Sequence, residues 1–476
     1  MRSPLLGTFR IQIVSLLACL MPGAVACSSK DDSSASGAAG SAGAAGAPGG
    51  ADGTAGTSGD AGTGGVAGTS GTAGSGGVAG SGGCPAGSSV VVEATEEAPA
   101  DCAPVAWFDQ FGGPADQAVR GTTFDTQGNI WITGKTTEAL DGPHDGDLAA
   151  DFARKYSPQG EVVWTKQGTG GSIGWHVRLD SDGNLYNTVT TRTADIPSEA
   201  EIIGGGGFGD CALRKYSPAG ELLWERYLGG AKDDICYLEL SNGRPIVFGS
   251  SEGDIYNQNG VRAEAVLTTF DEEGNPLWHT VYDTNDDDYF FDLATTPQGN
   301  MLVLAGVSYG CCNGIGRTHQ IELTPNGEVV DDRILFSAYE FASEIEIDAA
   351  GNRYYTSDFE GRDEQVLYKY DAAGLALWSK PLRLDGVPSL TLLPNGAPVI
   401  AGELKGKVWM QSWSSDGEPR KSFHFGTGAD LVKSISASPR GEVAVAGYTF
   451  GSFAGHQNPN TNSSDGMLFV FPPDTF

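Results

Sequence analysis

Positive charge is scarce in this chain. Its 476 residues carry 29 Lys and Arg against 60 Asp and Glu, a formal net charge of −31. So acidic a surface repels phosphate, which argues against nucleic-acid binding and against peripheral attachment to anionic lipid. Histidine is also thin. The six (His144, His176, His279, His319, His424, His456) show no HxxxH or H-x-E spacing, so nothing points to a zinc site. EF-hand spacing and the nonapeptide calcium repeat are both missing. The N-terminal apolar stretch, IQIVSLLACLMPGAVA (11–26), is too short and interrupted to span a membrane as a helix. Beyond about residue 104, helical periodicity is nearly absent, which sets aside an α-rich domain.

What is abundant is repetition. One unit recurs seven times from about residue 104 to the end: strand, Gly-containing turn, strand, variable loop, strand, second Gly-containing turn, strand. The clearest copy is AVRGTTFDTQGNIWITG (118–134) followed by DFARKYSPQGEVVW (151–164). The first turn recurs with Gly128, Gly183, Gly243, Gly299, Gly351, Gly396 and Gly441, the second with Gly160, Gly220, Gly274, Gly327, Gly374 and Gly417. A period of about 45–60 residues signals propellers or solenoids, whose units must stack to bury their apolar faces. In NIWITG (129–134), Ile130 and Ile132 alternate with Trp131 and Thr133, the two-residue period of a strand. Asp and Asn in the first turn satisfy backbone groups, and Gly accepts a positive φ there. Stacked sheets and a β-solenoid are also all-β, but four strands per unit at this period favour a closed propeller, which leaves no exposed sheet edge.

The closure is legible as well. The last copy stops at GMLFVFPPDTF (466–476), without a second turn or final strand. Ahead of the first copy stands an orphan, VAWFDQFGG (105–113), which matches WERYLGG (224–230) after a second turn. The strand around Trp107 is therefore expected to complete the seventh blade. Trp164, Trp224, Trp278 and Trp378 fill the position four residues after the second-turn Gly, with Trp107 their orphan equivalent. These are read as packing between blades. Asp331 and Lys421 take that position in the fourth and sixth copies, where the outer strand must pack differently.

The segments FDTQGNIWITG, FARKYSPQGEVVW, LRKYSPAGELLW and TFDEEGNPLW together resemble the bacterial β-propeller repeat family, found in many secreted and surface proteins. The resemblance covers 104–476. It implies a seven-bladed all-β ring and says little about activity, since that family shares a scaffold rather than a reaction.

The front of the chain bears on location. Arg2 and Arg10 with the apolar stretch read as a signal peptide over 1–26. AVAC ending at Cys27, followed by SSKDDSS, resembles the lipobox of bacterial lipoproteins and implies lipid on Cys27. Cys19, in LLAC, is the competing site. Ser28 after the Cys resembles lipoproteins exported to an outer membrane, which places the expected anchor in a Gram-negative envelope or on the cell surface. Residues 33–83 are nearly all Gly, Ala, Ser and Thr, too little apolar surface to offset their ordering entropy, so 27–103 is expected to be a flexible tether. Its length corresponds to on the order of 50 Å root-mean-square.

Of eight Cys, six remain beyond the signal peptide and the lipid site, an even number suited to disulfides in an oxidising compartment. Cys84 and Cys102 flank the start of the folded region. Cys211 and Cys236 fall at one face of adjacent blades, which suits a disulfide between them. Cys311 and Cys312 are left as neighbours. Sequence alone does not fix the pairing.

Alternating strand direction puts both short turns of each blade on one face. The loops 135–147, 191–210, 251–264, 308–318 and 448–466 emerge on the other, where binding chemistry is expected near the central channel. Two acidic loops are weak calcium candidates: Asp141, Asp145 and Asp147, and Asp286, Asp287 and Asp288. Cys311–Cys312 superficially resembles the vicinal disulfide of quinone-dependent propeller dehydrogenases, but their repeated docking motif is missing. GSSEG (249–253) matches G-x-S-x-G without the strand–turn–helix that a nucleophile elbow requires. The sequence thus points to a monomeric, lipid-anchored, non-enzymatic recognition or scaffold module without cofactor, for an unidentified protein or glycan partner. The alternative is a propeller-based enzyme, either a quinone-dependent oxidoreductase or a glycan-acting hydrolase or lyase.

Overall fold

The computed structural model describes residues 104–476 apart from loop positions, the longest runs being 257–262, 309–314 and 360–364, together with 9–11, 90–91 and 102–103. Cys27, Cys84, Asp141, Asp145, Asp147, Asp286, Cys311 and Cys312 lie outside the described residues, as do the rest of the signal segment and tether.

Seven antiparallel sheets form the ring. Six take four consecutive long strands each, as in the first blade: Gln117–Phe124, Ile130–Thr136, Ala150–Tyr156 and Val162–Gln167. The inner strands of successive blades touch in order around the ring, and the seventh packs on the first. In the seventh blade the outer strand is Trp107–Phe111, antiparallel to Asp465–Phe471, with Trp107 opposite Val470 and Phe111 opposite Gly466. Both chain ends of the ring are therefore held in one sheet. Short parallel strands extend two outer edges: Ile202–Ile203 on the second blade and Phe9–Ile11 on the third.

Each expected turn glycine has a positive φ, between 76° and 94°. In the first blade Asp125 fixes its turn by accepting from the N–H of Gln127 and of Asn129, at 2.9 and 2.8 Å. Asp180 and Asp348 hold the first turns of the second and fifth blades in the same Asx geometry.

The outer-strand tryptophans clasp each blade to the next. Trp107 Nε1 donates to the Pro158 carbonyl (3.0 Å), Trp164 to Pro218 (3.3 Å), Trp224 to Glu272 (2.9 Å), Trp278 to Pro325 (3.1 Å) and Trp378 to Ser415 (3.1 Å). Every acceptor lies in the second turn of the following blade. The indole covers that turn's glycine so closely that a Cβ on Gly220 would stand 2.9 Å from the Trp164 ring. Where the fourth blade carries Asp331 instead, the Arg333 guanidinium takes the place over Gly374. The sixth blade, with Lys421, needs no clasp, because the seventh has no second turn. There Phe476 packs edge-on against Phe423.

Candidate functional site

Two regions gather the polar side chains that could serve a function: the variable-loop face and the central channel.

At the variable face, buried aspartates at strand starts anchor the loops. Asp234 accepts from the Gly230 N–H (2.8 Å), and Asp430 from the N–H and hydroxyl of Thr427 (2.6 and 2.7 Å). Asp465, fully buried, accepts from Gln110 Nε2 (2.8 Å) and lies 3.0 Å from His456 Nε2. Asp288, one of the weak calcium candidates, anchors its loop in the same way, accepting from the Thr284 N–H (2.7 Å) and hydroxyl. Asp287 accepts from the Ala263 N–H at 3.2 Å. No cluster of three or more His, Cys, Asp or Glu suited to a metal ion occurs among the described residues. Cys211 and Cys236 form a disulfide between the third strand of the second blade and the inner strand of the third, Cα atoms 5.9 Å apart. Cys102 begins the short strand Cys102–Ala103, which pairs with Val90–Val91. Ser250 and Ser251 of GSSEG are buried in the strand Arg244–Glu252, which is paired on both sides, so no nucleophile elbow forms there.

The central channel encloses a cavity of about 540 Å³ lined by inner-strand residues from all the blades. The lining uses the later half of these strands, from Arg120 to Thr123 in the first blade and from Ser343 to Ile347 in the fifth. That half leads into the short first turns, whereas the sequence pointed to the variable-loop end. β-Bulges shape the wall. Arg120, Phe291, Ser343 and Lys433 are each skipped in pairing with the second strand and line the cavity. An extra unpaired residue bends a strand and re-aims its side chains.

The residue after the bulge ties blades together. Ser434 Oγ accepts from the Thr122 N–H of the first blade (3.1 Å), and Asp292 from the Ile345 N–H of the fifth (2.8 Å). Glu344 accepts from the Leu390 N–H of the sixth blade, and His176 Nδ1 from the Leu238 N–H of the third at 3.4 Å. Two residues further along, Arg178 Nε pairs with Glu239 at 2.8 Å. Arg178 and Glu239 hold equivalent positions in adjacent blades.

The channel's charge is divided. Glu239, Asp292, Glu344 and Glu346 come from the third to fifth blades, and Lys433, Arg120 and Arg178 from the seventh, first and second. Glu344 and Glu346 retain some accessible surface, but it faces the channel. The inner strands around the channel limit their access to bulk water, which weakens its stabilisation of their charge. Burial pushes Asp292 up to about 7 against the pull of two backbone N–H groups, and Glu346 up to about 8 with Asp292 and Glu239 adding to it. Glu344 is raised well above the carboxylate range by burial and by Asp292. His176 is lowered to about 3 by burial and then by Arg178, so it stays neutral. Arg120 is lowered by burial; its guanidinium lies 4.2 Å from the Trp175 ring centre, and its Nε is buried without an acceptor.

Sequence reasoning missed the channel groups. The signal was available in register: Arg178, Glu239 and Glu346 each stand two residues before a first turn, in strands whose neighbouring positions are apolar.

No family model and no curated protein matches the chain. Solved structures do resemble it. Luciferin-regenerating enzyme is 15% identical, over 63% of this chain and 91% of that one, with a TM-score of 0.38. U3-55K is 8% identical over 77% and 98%, with a TM-score of 0.48. A protein of unknown function from Bacteroides caccae is 14% identical over 52% and 82%, with a TM-score of 0.33. Likeness this distant assigns neither a family nor a function.

Proposed function

We propose that the chain is an envelope lipoprotein of the bacterial β-propeller repeat type, anchored through Cys27, which presents its ring as a non-enzymatic recognition module for a protein or glycan. The observation that carries this reading is the contrast between the two faces. On one, near-identical turns are clamped to their neighbours by indole hydrogen bonds. On the other, loops of unequal length and composition hang from buried aspartates such as Asp234, Asp430 and Asp465. A rigid ring with variable loops on one side lets recognition change without disturbing the core.

The test has two arms. Replacing loops 191–210 and 448–466 by short Gly-Asn turns should preserve the strand circular dichroism and abolish binding to isolated envelope glycans or surface proteins. Binding that survives the replacement, or is lost only on changes to the short turns, defeats the assignment. Separately, labelled fatty acid should enter the wild-type chain and not Cys27→Ser. Label retained in Cys27→Ser and lost in Cys19→Ser would move the anchor.

A further inference from the structure

Most charged groups in the channel are already engaged in holding the ring. Arg178 and Glu239 pair with each other, and Asp292 and Glu344 each accept a backbone N–H from the following blade. Three are not engaged in this way: Glu346, Arg120 and Lys433. Glu346, on the fifth blade, lines the cavity and accepts no hydrogen bond among the described residues. Arg120, on the first, also lines it and donates none among the described residues, and the groups that bear on its charge are the Tyr237 and Tyr448 rings rather than a carboxylate. The first and fifth blades stand nearly across the ring from one another, and Glu346 senses Arg178, Asp292 and Glu239 but not Arg120. Lys433, next to the first blade, adds a second cation to Arg120's side, its ammonium 5.8 Å from the Tyr448 ring centre.

Glu346 feels one cation, Arg178, which is already paired with Glu239, and Lys433 feels Glu403. Neither Glu346 nor Arg120 has a hydrogen-bonded partner of opposite charge among the described residues, and a charge so placed away from bulk water is costly. A ligand of one sign would satisfy one wall and worsen the other. We propose that the channel is a binding site for a small zwitterion of the short-peptide class, its terminal ammonium toward Glu346 and its terminal carboxylate toward Arg120 and Lys433. The cavity, at about 540 Å³, falls within the range of small-molecule sites. Arg120 offers a planar guanidinium for a bidentate carboxylate contact. Because the lining runs into the first turns, this site is distinct from the variable-loop face, and the two can fail separately.

The experiment is isothermal titration of the full chain with triglycine, N-acetyl-triglycine, triglycine amide, putrescine and calcium chloride. Triglycine should bind, and blocking either terminus should weaken binding at least about tenfold, the scale of a charge-assisted hydrogen bond. Glu346→Gln and Arg120→Gln should each do the same to free triglycine. Lys433→Gln, exposed within the channel, serves if Arg120→Gln does not fold. Titration near pH 7 in two buffers of different ionisation enthalpy should register proton release as the ammonium draws the acidic wall into its charged form. The proposal is overturned if triglycine does not bind, if blocked peptides bind as well as the free one, or if putrescine or calcium binds where triglycine does not.

Discussion

Replacing Trp107 by alanine removes the clasp at the one place where the ring is closed by residues from the two ends of the propeller. The side chain is 5% exposed, its ring lies 5.5 Å from that of Tyr156, and its Nε1 bonds the Pro158 carbonyl at 3.0 Å. Truncating a buried tryptophan costs about 3–5 kcal/mol, of which the hydrogen bond accounts for about 1 kcal/mol. The strand that carries it pairs through only Trp107–Phe111, so the lost contact is a large share of what holds that segment. Trp107→Phe should retain most of the packing and lose about 1–2 kcal/mol. Trp164→Ala should cost less than Trp107→Ala, because Trp164 is partly exposed and its strand is tied into the chain on both sides. Urea unfolding followed by near-ultraviolet circular dichroism measures the differences. Limited proteolysis should show new cleavage between 104 and 116 in Trp107→Ala. If Trp107→Ala unfolds within about 1 kcal/mol of wild type, or if Trp164→Ala is the more damaged variant, the clasp does not close the ring.

Two further outcomes follow from the same structure. Cys211→Ser should lower stability by about 2–4 kcal/mol under oxidising conditions and make no difference under a reductant, since the disulfide chiefly constrains the unfolded chain. The channel acids make stability depend on pH. Asp292 and Glu346 hold their protons up to about 7 and about 8 in the ring, whereas the unfolded chain releases them near 4. Their contribution is thus fully present below about pH 4 and is lost as pH rises through 7 to 8. The melting temperature should fall over that window, more steeply in wild type than in the Asp292→Asn, Glu346→Gln double variant; equal slopes would show that the channel acids are not the cause.

The sequence by itself determined the fold to an unusual depth because the information is local and repeated. Each turn glycine, each Asp or Ser that opens a turn and each alternating strand is specified within a few residues, and recurrence separates signal from accident. Even closure was written locally: VAWFDQFGG looks like an outer strand without a blade, and the final copy looks like a blade without an outer strand. The Trp slot was legible for the same reason, and so were its gaps at Asp331 and Lys421. That Arg333 fills one gap was not legible, because it depends on where the neighbouring blade's Gly374 comes to rest. The blade register had already put Cys211 and Cys236 at one face of adjacent blades, and the packing of those blades brings their Cα atoms to 5.9 Å and joins them. Register hints at single channel groups, but which of them meet was decided by tertiary structure. Arg120 and Glu346 lie 226 positions apart in the numbering, and each in isolation is an ordinary charged residue on a strand. Only ring closure turns them inward, limits their contact with bulk water and leaves each without a hydrogen-bonded partner of opposite charge among the described residues.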